Sequence, residues 1–286
     1  MKKIEIIKND LKYNISVLKN KINNLPKDDE GNKLEVIAVV KANGCGLDLV
    51  SFSKFILNNG IKILAVANIN ELIALRNEKI DSEIIMLTPT SDKNELEILI
   101  DNKATLTIGS IEELEKIEEI LEKKDLQINA HIKIDTGLCR YGFFYDDSNI
   151  IDCFEKAKRV HITGMYTHFS KPLDEKWTNI QFNRFLEVVA GVKSFGYNPG
   201  ILHVCETTAF LKYPNMYLNA VRLGSFFQGR VMINNLGLKK IGVFKSRVQE
   251  IKIVPKGHTI GYSNRYKLKK ETKLATIPVR IYGWIY

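Results

Sequence analysis

The chain has 286 residues, 45% of them hydrophobic and 26% charged, with a formal net charge of +9. That leaves room for one large domain and part of a second, with the composition of an ordinary water-soluble globular protein. It excludes a membrane-spanning helix, because no apolar run approaches the ~20 residues a bilayer demands. It also argues against nucleic acid, because the lysines are scattered among acids, as in Glu112-Glu113-Leu114-Glu115-Lys116, with no basic–aromatic cluster.

The opening Met1–Asp10 is basic but lacks an apolar core and a cleavage site, so no signal peptide is expected. Asn9 or Asp10 can cap a first helix over Leu11–Leu25. Short apolar runs then alternate with amphipathic ones. The runs predict strands at Val36–Val40, Ile63–Val66, Ile84–Leu87, Thr105–Ile108, Asn129–Ile134, Ile162–Tyr166, Gly200–Val204 and Asn219–Arg222. Helices are predicted at Asp48–Asn58, Ile69–Arg76, Lys93–Ile100, Ile111–Glu122 and Trp177–Ser194. In the helix from Ile111, the apolar Leu114, Ile117, Ile120 and Leu121 recur at three- and four-residue spacing.

About eight strand–helix units are the count of a TIM-type (β/α)8 barrel. A doubly wound sheet alternates in the same way. The barrel is preferred because candidate ligand residues follow many different strands, and no Gly-rich fingerprint follows the first. Beyond about Arg230 the helical period stops. Val243–Val254 reads as one strand, Pro255-Lys256-Gly257 as a turn and Lys273–Val279 as another strand. The expected organisation is a barrel over residues 1–230 and the start of an all-β domain over 231–286.

The most informative segment is Val36-Ile-Ala-Val-Val-Lys41-Ala-Asn-Gly-Cys-Gly46. An apolar strand runs into a lysine and then into a glycine-bearing loop. A lysine amine in apolar surroundings loses its charge more readily and becomes a candidate Schiff-base nucleophile. A strand-end lysine that snorkels to solvent is the competing reading. Lys133, Asp135 and Arg140 read equally as a salt-bridge network or as a site, and His168 alone as a structural histidine. The four cysteines, Cys45, Cys139, Cys153 and Cys205, form no CxxC pair or zinc spacing, and reduced thiols in a cytoplasmic protein are expected.

Taken together, the segments resemble the alanine racemase family. Val39-Val40-Lys41-Ala42-Asn43 with Gly46 is similar to the family's cofactor-lysine motif. It departs at Cys45, where the family has a tyrosine that binds the cofactor phosphate. His131-Ile-Lys133-Ile-Asp135-Thr136-Gly137-Leu-Cys-Arg140-Tyr-Gly142 resembles His-x-Lys-x-Asp-Thr-Gly-Met-x-Arg-x-Gly. Thr167-His168-Phe169 matches Thr-His-Phe. His203-Val-Cys-Glu206-Thr207-Thr-Ala209 aligns with His-x-Ala-Asn-Ser-Ala-Ala. Val221-Arg222-Leu223-Gly224-Ser225 resembles Val-Arg-Pro-Gly-Ile, and Gly261-Tyr262 lies in a segment similar to Val-Ser-Tyr-Gly. These segments recur in family order, which no single motif could establish.

The resemblance implies a pyridoxal 5′-phosphate-dependent racemase, most simply for alanine, with serine and ornithine as alternative substrates. It implies Lys41 and Tyr262 as the two catalytic bases. It implies cofactor contacts from Lys41, Arg140, His168, Thr207, Arg222, Gly224 and Ser225. Arg140 also places the substrate carboxylate. Lys133, which the resemblance makes a candidate for carbamylation, Asp135 and His203 stand behind them. Arg222 would face the pyridine nitrogen. The implied partner is a second copy in a head-to-tail homodimer that supplies the tyrosine, with no metal, nucleic acid or membrane partner. A non-catalytic protein that carries pyridoxal phosphate and an inactive racemase fragment are the competing functions.

The tail is the one abnormal segment. Where the family continues into Gly-Tyr-x-Asp-Gly-Tyr, this chain reads Arg280-Ile-Tyr-Gly-Trp-Ile-Tyr286. Codons for Gly-Tyr-Met-Asp-Gly-Tyr-Ile read one base out of phase encode that tail. The expectation is a frameshift after Val279, with a genuine short variant as the alternative; a product ending at Tyr286 would have a truncated β-domain with unpaired strand edges.

Overall fold

The computed structural model describes residues 2–27, 31–231, 233 and 236–278, so Val279–Tyr286, and with them the tail, lie outside the described residues. The chain divides into two compact units. Residues 10–240 form one, and residues 1–9 with 241–286 form the other.

Strand β1 (Lys2–Ile6) belongs to the smaller unit. The larger unit contains β2 (Glu35–Val39), β3 (Ile63–Val66), β4 (Glu83–Met86), β5 (Leu106–Ile108), β6 (Ile128–Asp135), β7 (Phe143–Phe144), β8 (Val160–Tyr166), β9 (Ile201–His203) and β10 (Ala220–Leu223). Apart from the short β7, which pairs beside β6, these strands run parallel in the order β4-β3-β2-β10-β9-β8-β6-β5. A parallel bridge between Ile85 and Thr105 joins the two ends of that order. The sheet is therefore a closed eight-stranded (β/α) barrel, and the expected fold holds.

The strands read as continuous apolar runs because both faces are covered. Ile37, Ile63, Ala65, Ile85 and Ala220 make a buried cluster, with Val39, Leu87 and Ile201 packed against it. The covering helices carry their own start and stop signals. The helix Ile111–Lys124 is capped by Ser110, whose side chain accepts from Glu113 N, and ends on Asp125 in a left-handed conformation. It buries Leu114, Ile117, Ile120 and Leu121, as the spacing predicts. The helices Ile69–Asn77 and Lys93–Asp101 begin with the same device, an Asn68 or Asp92 cap and a glutamate three residues on.

Some expectations move. The first helix spans Lys8–Asn23, which puts Asn9 and Asp10 inside its first turn rather than at its cap. Helices at Asn149–Lys156 and Thr207–Lys212 are additional. No helix among the described residues is long and apolar enough to cross a membrane.

The smaller unit is a set of short antiparallel ladders. Strand β11 (Gly242–Ser246) pairs with β1, β12 (Glu250–Val254) pairs with β15 (Thr272–Thr276), and β13 (Thr259–Ile260) pairs with β14 (Tyr266–Lys267). The single strand predicted over Val243–Val254 is thus two strands that choose different partners, separated at Arg247-Val248-Gln249.

Candidate active site

The candidate residues of the larger unit collect where its strands end, the face on which a barrel carries chemistry. Lys41 follows β2, with Val40 buried and Lys41 itself exposed. The apolar surroundings expected around its amine are therefore absent. The buried lysine of this face is Lys133. Period-two alternation on β6 turns His131, Lys133 and Asp135 to one side. The Lys133 amine lies 5.4 Å from the Tyr166 ring centroid and 5.3 Å from that of Tyr141. Burial, reinforced by the charges of Arg140 and Arg222, pulls it down to about 8.

Arg140 sits in the loop after β6, and Asp135 shapes that loop. One Asp135 oxygen accepts from the amides of Gly137, Leu138 and Cys139, and the other accepts from Arg140 N. The salt-bridge network considered for these residues is instead a carboxylate–amide clasp.

Arg222 lies inside β10, buried, with no carboxylate partner among the described residues. One terminal nitrogen donates to His203 Nδ1 and His203 O, both at 2.6 Å. The other donates to Thr167 O at 2.6 Å and Val204 O at 3.1 Å, and lies 3.3 Å from His168 Nδ1. Among the described residues its Nε–H has no acceptor. His203 Nε2 in turn lies 2.9 Å from His131 Nδ1. Tyr166 stacks on His203 at 4.7 Å between centroids, and its hydroxyl lies 2.9 Å from Thr107 Oγ1.

Burial and neighbouring cations keep these imidazoles neutral. His131 is pushed down to about 4 by burial and then by Arg222. His168 is pushed to about 3 by burial and then by Arg222, Arg140, Lys133 and Lys41. His203 is held well below its ordinary value by burial and by Arg222. That four cations act on one histidine describes the site's electrostatics: a positive mouth suited to an anionic ligand.

Thr207, buried, opens the helix Thr207–Lys212, and its hydroxyl accepts from Phe226 N at 3.3 Å. Gly224 and Ser225 follow β10 directly. Glu206 is the helix cap, accepting from Thr208 N at 2.8 Å and Ala209 N at 2.9 Å. That supplies the partner its carboxylate needs in a site of anionic ligands. Cys45 points its thiol at Val39 O, 3.6 Å away.

Lys41, Lys133, Arg140, His168, His203 and Arg222 are brought together. Tyr262 belongs to the other unit, on a short turn Tyr262–Asn264, with its side chain fully exposed at 101%. Sequence reasoning passed over Tyr166, His131 and Glu71. The period-two alternation that turns Lys133 inward on β6 also carries His131. Glu71 was hidden because a glutamate three residues past an Asn cap already has a routine explanation.

Comparison with known proteins gives one result throughout. Residues 6–230 match the family model described as alanine racemase, N-terminal domain, and residues 241–280 match alanine racemase, C-terminal domain. The chain is 31% identical over 274 residues to an alanine racemase of Methanococcus maripaludis, covering 93% of this chain and 73% of the relative. It is 33% identical over 254 residues to one of Clostridium tetani, covering 86% of this chain and 65% of that relative. Among solved structures, an alanine racemase of Clostridium difficile 630 superposes with a TM-score of 0.82 at 28% identity, covering 97% of this chain and 73% of its own. The alanine racemase of Bacillus anthracis with bound L-Ala-P gives 0.79 at 27% identity, covering 96% and 72%.

Proposed function

Since the chain belongs to the alanine racemase family, a family of isomerases, we propose that it interconverts L- and D-alanine with pyridoxal 5′-phosphate held at the barrel mouth. The observation that carries this reading is the convergence of Lys41, Lys133, Arg140, His168 and Arg222, which lie in or just after the C-terminal ends of β2, β6, β8 and β10.

The residues present fit the cofactor. Arg222 has an Nε–H without an acceptor among the described residues, and a pyridine nitrogen is an acceptor. The Thr207 hydroxyl accepts from Phe226 N and keeps its own proton for a phosphate oxygen. Gly224 and Ser225 follow β10 directly, where a glycine permits close backbone approach to an anion. Thr207, Gly224 and Ser225 would hold the phosphate, His168 the ring face and Arg222 the ring nitrogen. Arg140 would hold the phenolic oxygen and the substrate carboxylate, and Lys41 would bond the aldehyde carbon. Cys45 offers no phenol to the phosphate.

When bound, the cofactor spreads the electron pair left at Cα by proton loss. The rest belongs to the chain. Lys41 holds the proton on one face of Cα and Tyr262 on the other, one removing it and the other returning it. Arg222, a permanent cation, disfavours a proton on the ring nitrogen and so limits side reactions. The full exposure of Tyr262 suits a base supplied to a second copy in a head-to-tail homodimer. The buried Lys133 amine, at about 8, is a candidate for carbamylation, which would turn its repulsion of Arg140 into attraction. The proposed compartment is the cytoplasm.

Circular dichroism of L-alanine, L-serine and L-ornithine with added cofactor tests the activity. Loss of the alanine signal supports the proposal, and loss of only serine or ornithine signal replaces the substrate. Borohydride fixation of the cofactor without turnover would leave a binding protein. Equal fixation in Lys41→Ala would sink the assignment of Lys41.

A further inference from the structure

Immediately after Lys41 the chain makes one left-handed turn. Ala42, Asn43, Gly44 and Cys45 have φ values of 55, 54, 64 and 56°. Residues with a side chain resist this conformation, and it persists only where surrounding contacts over-determine it. The contacts are specific. Glu71 Oε1 accepts from Ala42 N at 2.6 Å and from Asn43 N at 3.4 Å, while Oε2 accepts from Ala67 N at 3.1 Å. Asn43 Oδ1 accepts from Leu49 N at 3.0 Å, and Gln228 Nε2 donates to Cys45 O at 3.1 Å.

We propose that Glu71 is the positioning residue of Lys41: its buried carboxylate holds the two amides that follow the lysine and so fixes where the amine stands. This inference rests on the reading of Lys41 as the cofactor lysine.

A capping role alone does not account for Glu71. Glu113 occupies the same place in its own helix, three residues after the Ser110 cap. It accepts from Gly109 N at 2.6 Å, as Glu71 accepts from Ala67 N. Glu113 spends its carboxylate within its own strand–helix joint. Glu71 sends one oxygen 29 residues back along the chain, to the joint after the neighbouring strand β2. Both oxygens must accept, because every partner is an N–H. Glutamine would turn an NH2 group toward one of these donors and lose that side of the clasp.

The test uses the whole chain with pyridoxal 5′-phosphate as probe. Wild type, Glu71→Gln and Glu113→Gln are treated with borohydride at sub-saturating cofactor, and the fraction fixed on Lys41 is read by peptide mass. The melting temperature is read without cofactor. Weakened hydrogen bonds to a charged acceptor should lower fixation in Glu71→Gln by roughly tenfold. Glu113→Gln should fix cofactor as wild type does, although both lose a capping bond. Fixation in Glu71→Gln equal to wild type would overturn the proposal, and so would equal losses in the two variants. If Glu71→Gln does not fold, Glu71→Asp, which keeps the charge but shortens the side chain by one methylene, replaces it under the same criteria. No fixation on Lys41 in wild type would remove the cofactor reading and this inference together. Normal fixation in both wild type and Glu71→Gln removes the inference alone.

Discussion

Replacing Asp135 by alanine probes how the Arg140 loop is held. The carboxylate accepts from Gly137 N at 2.9 Å, Leu138 N at 2.9 Å, Cys139 N at 3.1 Å and Arg140 N at 3.2 Å. Hydrogen bonds to a charged group contribute about 1.5–3 kcal/mol each, so four would nominally exceed about 6 kcal/mol. Two effects reduce that figure. Gly137 and Leu138 are only partly buried, and Cys139 and Arg140 are exposed, so water recovers most of the freed amides. The variant also no longer desolvates a carboxylate, since Asp135 is 8% exposed in the folded chain. The expected net loss is about 2–4 kcal/mol, read as a lower urea midpoint at unchanged slope. Under the proposed function the KM for alanine should rise more than kcat falls, because the loop carries the guanidinium assigned to the substrate carboxylate. Asp135→Asn keeps the oxygen that holds three amides and should lose about 1–2 kcal/mol. A change below about 0.5 kcal/mol in Asp135→Ala would show that the carboxylate does not organise the loop.

Gly200→Ala should cost about 3 kcal/mol or prevent folding. Gly200 has a φ of +66°, and a Cβ there would stand 2.2 Å from Thr163 O. An unchanged thermal melt would refute the backbone path into β9. Stability should also fall as pH drops. His131 binds a proton near 6.5 in the unfolded chain but only at about 4 when folded, and buried His203 is shifted the same way. The unfolded state therefore holds more protons below pH 6.5. Each histidine contributes a slope of up to about 1.4 kcal/mol per pH unit, and the stability is present above 6.5 and lost toward pH 4. Chemical denaturation at pH 7, 6 and 5 checks this above the carboxylate range, and a flat or rising profile would refute it.

The barrel was legible because each of its strands carries its own pattern. Val36–Val40 and Ile63–Val66 are apolar on both faces, and they pair with each other within one strand–helix unit. The smaller unit was less legible because its pairing is remote. Lys2–Ile6 finds its partner in Gly242–Ser246, at the other end of the chain, and nothing local in either segment records that. Val243–Val254 kept one β pattern across a break that only a change of partner creates. At the site, residue identities were readable but their environments were not. Apolar neighbours in sequence placed Lys41 in a dry setting, whereas the strand ends one residue earlier and the dry lysine is Lys133. Glu71 and Glu206 show the same limit, since a carboxylate's partners depend on which amides the fold presents.

The hydrogen bonds around Arg222 also set a direction. An arginine can only donate, so His203 Nδ1 must accept and its proton must sit on Nε2. That proton faces His131 Nδ1, which must then accept, and the His131 proton is forced onto Nε2. This last atom has no acceptor among the described residues, and it lies beside Gly164, where an added Cβ would stand 2.7 Å away. The three side chains therefore form a polarised row, oriented from Arg222 and ending against a glycine. A side chain at position 164 would meet the His131 ring first, the last member of that row.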